Sequence, residues 1–138
     1  MRSEDGVEFE VNFREGDSPA DVEITLSGVP DLDGLTRLNE RLVSDSRFRA
    51  GLKMLVDLRA LDTAGLSGEA VQILSESMAE RDWLYPPAAV ALVAPDEGTY
   101  DAVRLYRAHL GGSRSNRHLL SGRADAVAWL TEQRRAAQ

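Results

Sequence analysis

The sequence predicts an α/β domain built on a largely parallel sheet. Two strand patterns of period two open the chain, and helical periods then alternate with apolar runs to its end. The resulting order is β-β-α-β-α-β-α-β-α, a single-domain arrangement over residues 1–138 with an antiparallel N-terminal edge strand and four helices. "VEFEVNFR" (7–14) puts Val7, Phe9, Val11 and Phe13 on one face and Glu8, Glu10, Asn12 and Arg14 on the other. That is a strand with one wet face. "VEITLSG" (22–28) alternates again after a polar turn, so the two form a hairpin. "PDLDGLTRLNERLVSDSR" spaces Leu32, Leu35, Leu38 and Leu42 as a helix, with Asp31 or Asp33 to cap it. "LKMLVDL" (52–58) is apolar without alternation at its centre, as in a strand covered on both faces.

"SGEAVQILSESMAERDWL" returns to helical spacing through Ala70, Ile73, Leu74 and Met78, with Ser67 as its cap. "AAVALVA" (88–94) is a second two-sided strand. "TYDAVRLYRAHLGG" is a third helix, with Thr99 as cap, Asp101 in the first turn and Gly111 to close it. "NRHLLSG" is a short last strand, and "RADAVAWLTEQRRAAQ" a final helix whose arginines lie near its negative pole.

Composition narrows the function. A chain of 138 residues buries a sizeable core without staples. It has no cysteine, which excludes disulfides, thiol catalysis and thiolate metal sites. No apolar run approaches the ~20 residues of a membrane-spanning helix. The acidic start "MRSEDGVEFE" lacks the apolar core of a signal peptide, so a cytoplasmic location is expected. The net charge of −7 is uneven: residues 1–33 hold ten acidic and two basic groups. Such a chain repels nucleic acid.

Catalytic and metal patterns are missing. The two histidines, His109 and His118, stand in no nucleophile elbow, and no Gly-x-Ser-x-Gly occurs. Neither a HExxH motif nor a phosphate loop is present; "HLGGSR" follows a helix and reads as its C-cap. The expectation is a protein without metal, cofactor or enzymatic activity. One charge feature stands out. From Ala102 to Ala124 there is no acidic residue, while Arg104, Arg107 and Arg117 could form a patch for an anion or an acidic partner. The same patch could dock the acidic first third of another copy in a homodimer. A further candidate is the turn between the third strand and second helix, with Asp57, Asp62, Thr63, Gly65 and Ser67 at the ligand-facing end of an open α/β sheet.

Element order and "LVDLRALDTAGLSG" together resemble the STAS domain, the SpoIIAA-like fold of bacterial anti-sigma-factor antagonists. Asp57-Leu58 matches a strand end in that pattern, and "DTAGL" (Asp62 to Leu66) matches the loop at the helix start. The ending "LLSGRADAVAWL" is similar to the SpoIIAA-like branch related to STAS and SEC14 folds. The resemblance implies a regulatory or protein-interaction module, with an anti-sigma factor or kinase-like regulator as partner. It also implies that Thr63, at the place of the first switch serine, is a candidate phosphoacceptor. Ala64 replaces the second serine, and the loop is shorter than in the antagonists. The alternative that the resemblance brings is a SEC14-like domain for a small apolar ligand or lipid, its pocket lined by tryptophans and apolar helices.

Overall fold

The computed structural model of the chain describes residues 7–14, 18–64, 66–80, 88–94, 96–110 and 116–136. Five strands form one sheet in the order β1(Val7–Phe13), β2(Val22–Gly28), β3(Lys53–Leu61), β4(Ala89–Val93), β5(Asn116–Leu120). β1 pairs with β2 antiparallel, Val7 opposite Gly28 and Phe13 opposite Val22. The pairs β2–β3, β3–β4 and β4–β5 are parallel.

Each strand from β2 onward pairs with the next, so three successive crossovers step the same way. Right-handed crossovers then place the connecting helices on one face. These are α1(Leu32–Val43), α2(Gly68–Ala79) and α3(Glu97–Leu110). They cover Val22, Ile24, Met54, Val56 and Val90. The chain then turns under the sheet, and α4(Arg123–Ala136) covers Leu55, Ala91 and Val93 from the other side with Ala126 and Leu130. The two-sided apolar character of β3 and β4 has this cause. α4 reaches the wet face of the hairpin at Glu23 through Arg123 and leaves Glu8, Glu10 and Thr25 exposed.

Asp31 caps α1 by accepting from the Gly34 N–H at 3.0 Å, and Ser67 caps α2 by accepting from the Ala70 N–H at 3.1 Å. Three expectations need correction. The third helix starts at Glu97, and Asp96 rather than Thr99 is its cap, accepting the Thr99 N–H at 2.8 Å. β3 does not end at Asp57-Leu58; it continues to Leu61, because β2 carries a register shift between Thr25 and Ser27 and goes on pairing with it. Ile73, read as a core position, is 54% exposed, and Val71, Leu74 and Met78 form the buried stripe of α2. The expected Gly111 closure of α3 lies outside the described residues.

Charge asymmetry is partly neutralised within the chain. Glu23, in the acidic first third, accepts from Arg14 at 2.8 Å and pairs with Arg123 at 2.6 Å. Such exposed pairs contribute about 0–1 kcal/mol each. A tighter knot follows α1: Asp45 accepts from Arg41, from both ends of the Arg47 guanidinium and from the Arg47 N–H. The same guanidinium lies over the Phe13 ring, 4.2 Å from its centroid. Hydrogen bonds from Arg47 hold the Asp45 carboxyl far below its ordinary 3.8. A depressed folded pKa stabilises above the unfolded value and stops doing so as pH falls through the folded one. Asp45→Asn is therefore expected to be less stable than the parent at neutral pH, and the gap to close in acid. Urea unfolding of both proteins across a pH series measures this.

No helix among the described residues is long and apolar enough to cross a membrane.

Candidate functional site

The layer between the sheet and helices α1, α2 and α3 is not fully packed. α2 rests mainly on α3 and touches the sheet little. A cavity of about 210 Å³ lies beneath the helices. Its floor is the apolar face of the sheet: Ile24 and Leu26 from β2, Val56 and Leu58 from β3, Val90 and Leu92 from β4. α1 closes it with Leu35, Leu38 and Leu42; α2 with Val71, Leu74 and Met78; α3 with Ala102, Val103 and Tyr106. Among the described residues, Asn39, Thr63, Tyr106 and Arg117 are the polar members of the lining, and of these Arg117 is charged. A dry apolar cavity of 150 Å³ is enough to take benzene, so the volume here admits a small organic molecule.

The sequence-predicted turn closes the end of this cavity where the parallel strands finish. β3 delivers the chain to Leu61, and the Asp62 N–H is anchored on the Gly28 carbonyl at 2.8 Å. The Asp62 carboxylate is exposed and accepts from the Ala64 N–H at 3.1 Å, fixing an Asx turn. Thr63 and Leu66 line the cavity, while Ser67 is exposed and occupied as a helix cap. Gly65 lies outside the described residues.

Thr63 is half-buried, its hydroxyl 3.4 Å from that of Thr99, which is 2% exposed. The Thr99 hydroxyl donates to Asp96 at 3.0 Å, so in the longer contact Thr63 donates and Thr99 accepts. The Thr99 N–H, and after it the Thr99 hydroxyl, hold the Asp96 carboxyl below the usual range. The turn, the cap of α3 and the cavity wall are thus one connected unit. Ser67→Ala removes only the cap; the expected cost is about 1 kcal/mol, with faster amide exchange confined to the first turn of α2.

The remaining candidates divide between the two faces. Asp57 shares its side of β3 with Leu55 and points away from the cavity. Its carboxylate is paired with Arg59 at 2.7 Å. Burial pushes the Asp57 carboxyl up, but hydrogen bonds from Arg59 and the charges of Arg59 and Arg123 hold it below the usual range. Arg104 is exposed on α3 and pairs with Asp101 at 3.6 Å. Arg107 is half-buried on the same helix, and Arg117 is on β5 in the cavity lining. Trp129 does not line the cavity: it stacks on His118 on the α4 side, with ring centroids 5.0 Å apart. Trp83 lies outside the described residues. Among the described residues, no group of three or more His, Asp or Glu converges as metal ligands do.

Comparison with known proteins adds one fact. No family model matches the chain, and no curated protein matches it. A solved structure does: an uncharacterised protein of the DUF3478 family with a SpoIIAA-like fold, from Shewanella loihica PV-4. The two share 19% identity over 94% of this chain and 98% of that one, with a TM-score of 0.55. The chain has a SpoIIAA-like fold. The STAS-type architecture read from element order is therefore correct, including the antiparallel edge strand. Within the SpoIIAA-like fold, the cavity was hidden from sequence reading because its lining is chemically identical to a core. Two signals pointed towards it: Leu61 and Leu66, apolar residues flanking a polar turn, and Tyr106 between Arg104 and Arg107.

Proposed function

We propose that this protein is a non-enzymatic binding module of SpoIIAA-like type whose cavity takes a small apolar ligand. The observation that carries the reading is the 210 Å³ cavity, whose described lining is mostly apolar on the sheet and on all three helices. Apolar space of this size forfeits dispersion contacts that a well-packed interior would keep. A ligand that fills it restores them, which is what small-molecule sites do. Among the described lining residues there is no carboxylate and no histidine, which supports binding rather than catalysis. Native mass spectrometry of freshly purified protein tests the reading. A bound small molecule, or uptake of toluene and decanol at one molecule per chain, supports it. An empty protein that takes up neither contradicts it.

A regulatory role through a protein partner is the second reading, and it has its own observation. Ile73 on α2 and Leu105 on α3 are exposed apolar residues on two helices that pack together behind the switch turn. An anti-sigma-like regulator, or a second copy of this chain, would cover them. Co-purification from the native host with parent and Ile73→Glu, Leu105→Glu protein checks it. A partner lost in the double variant supports the reading; a parent that elutes alone under all growth conditions opposes it.

A further inference from the structure

Among the described residues, β1 pairs with β2 on one side and with no strand on the other. The ladder fixes which residues face that open edge. The Arg14 N–H donates to the Asp21 carbonyl at 2.8 Å, one step beyond the pairing of Phe13 with Val22. Arg14, Asn12, Glu10 and Glu8 therefore turn their backbone groups towards β2, and Phe9, Val11 and Phe13 turn theirs away from it. Val7 shares the outward phase, and its N–H is directed at the Asp31 carboxylate, 3.4 Å away. The side chains split in the same way. Phe9, Val11 and Phe13 are half-buried and pack on the α1 side of the core, while Glu8, Glu10, Asn12 and Arg14 are exposed on the other face. An open edge with a half-covered apolar row is a template for another strand.

We propose that two copies of this chain join through their β1 edges, antiparallel about a two-fold axis at Val11, into one continuous sheet. In that register Val11 faces Val11 of the other copy, and Phe9 faces its Phe13. All are outward positions, so each donates its N–H and accepts at its C=O across the axis. On the wet face Glu8 meets Arg14 and Glu10 meets Asn12, with no like charges directly opposed. The neighbouring registers are worse. An axis at Glu10 sets Glu10 against Glu10, and an axis at Phe9 sets Glu8 against Glu10. An axis at Asn12 leaves Phe9 without a described residue opposite it. An axis between two residues turns the apolar row of one copy to the wet face of the other. Glu8 and Arg14 keep their contacts within the chain, Arg14 through Nε to Glu23 at 2.8 Å. Asn12 gives one N–H to its own Glu10 at 3.3 Å and has a second. The remaining guanidinium donors and carboxylate lone pairs serve the other copy.

Sedimentation equilibrium of the parent over a concentration series reads the association, and amide exchange followed by NMR locates it. The expected species has twice the chain mass, with the Phe9, Val11 and Phe13 amides protected in the dimer and released on dilution. Arg14→Glu sets like charges opposite each other on both sides of the axis and should weaken association about tenfold. Exchanging the pair, Glu8→Arg with Arg14→Glu, should restore it, which loss of the Arg14–Glu23 contact alone would not allow. A parent that stays monomeric up to about 0.5 mM overturns the proposal. A dimer whose Phe9, Val11 and Phe13 amides exchange as in the monomer overturns the edge and points to the Ile73 and Leu105 face instead. A dimer with those amides protected, but indifferent to Arg14→Glu or not restored by the exchange, overturns the register. The parent measurements decide the edge even where a variant does not fold.

Discussion

Ala102→Trp is expected to abolish binding of apolar ligands while leaving the protein folded. Ala102 projects from α3 into the cavity, and an indole there occupies the space that a ligand would take. Overpacking a full interior costs about 1–3 kcal/mol, but here the volume exists beforehand, so stability should change by less than about 1.5 kcal/mol. The matched control is Ala126→Trp on α4. Ala126 is 0% exposed in the layer with Leu55, Ala91 and Leu130, whose buried side chains an indole would have to displace. That variant should be severely destabilised or fail to fold. Toluene uptake and urea unfolding of the pair separate the two faces of the sheet: one substitution blocks a site, the other breaks a core.

The second large effect is a difference between two leucines. Leu130→Ala should cost about 3–5 kcal/mol, the upper part of the range for buried leucine truncation. Leu130 is 0% exposed in the dense α4 layer, so the hole it leaves is new. Leu74→Ala should cost about 2–3 kcal/mol, since Leu74 already borders empty space and loses fewer contacts. Denaturant midpoints at unchanged slope measure both. Equal costs would mean that the two layers are packed alike and that no standing cavity exists.

What the sequence made legible follows from what periodicity can encode. Alternation in β1 and β2 specified a half-wet hairpin, and Val7, Phe9, Val11 and Phe13 do join the core on the α1 side. The unbroken apolar runs of β3 and β4 specified strands covered twice, and α4 supplies the second cover. The Ser67 cap was readable because no neighbouring side-chain acceptor competed with it, whereas at α1 Asp31 and Asp33 were both open and Asp31 takes the cap. At α3, Asp96 and Thr99 compete three residues apart, and the carboxylate takes the cap while the threonine is buried inside the first turn. Ile73 fits a helical stripe but points outward, because α2 leans on α3 rather than on the sheet and its buried arc is rotated.

The candidate site was half legible. The turn at Asp62 to Ser67 was found, because polar and glycine-rich chemistry at a strand-to-helix junction is visible in one dimension. Asp57 was grouped with it by proximity in sequence, yet the pleat of β3 sends that carboxylate to the opposite face. The cavity was not legible, since a leucine facing a void and a leucine facing another leucine are the same letter. Only the distance of α2 from the sheet separates them, and that distance is a property of the whole packing. Arg117 shows the same limit. Its charge placed it among surface arginines, whereas the start of β5 carries it to the cavity wall.

The most direct test is a methyl-resolved NMR titration of the protein with decanol or toluene. Ligand in the cavity should shift the methyls of Val56, Leu58, Leu74 and Leu92 and give intermolecular contacts to them, while Leu55 and Leu130 across the sheet stay fixed. Saturable shifts on that one side, at one ligand per chain, are the predicted result. Unmoved methyls at saturating ligand, or shifts centred on Leu55 and Leu130, would contradict the account.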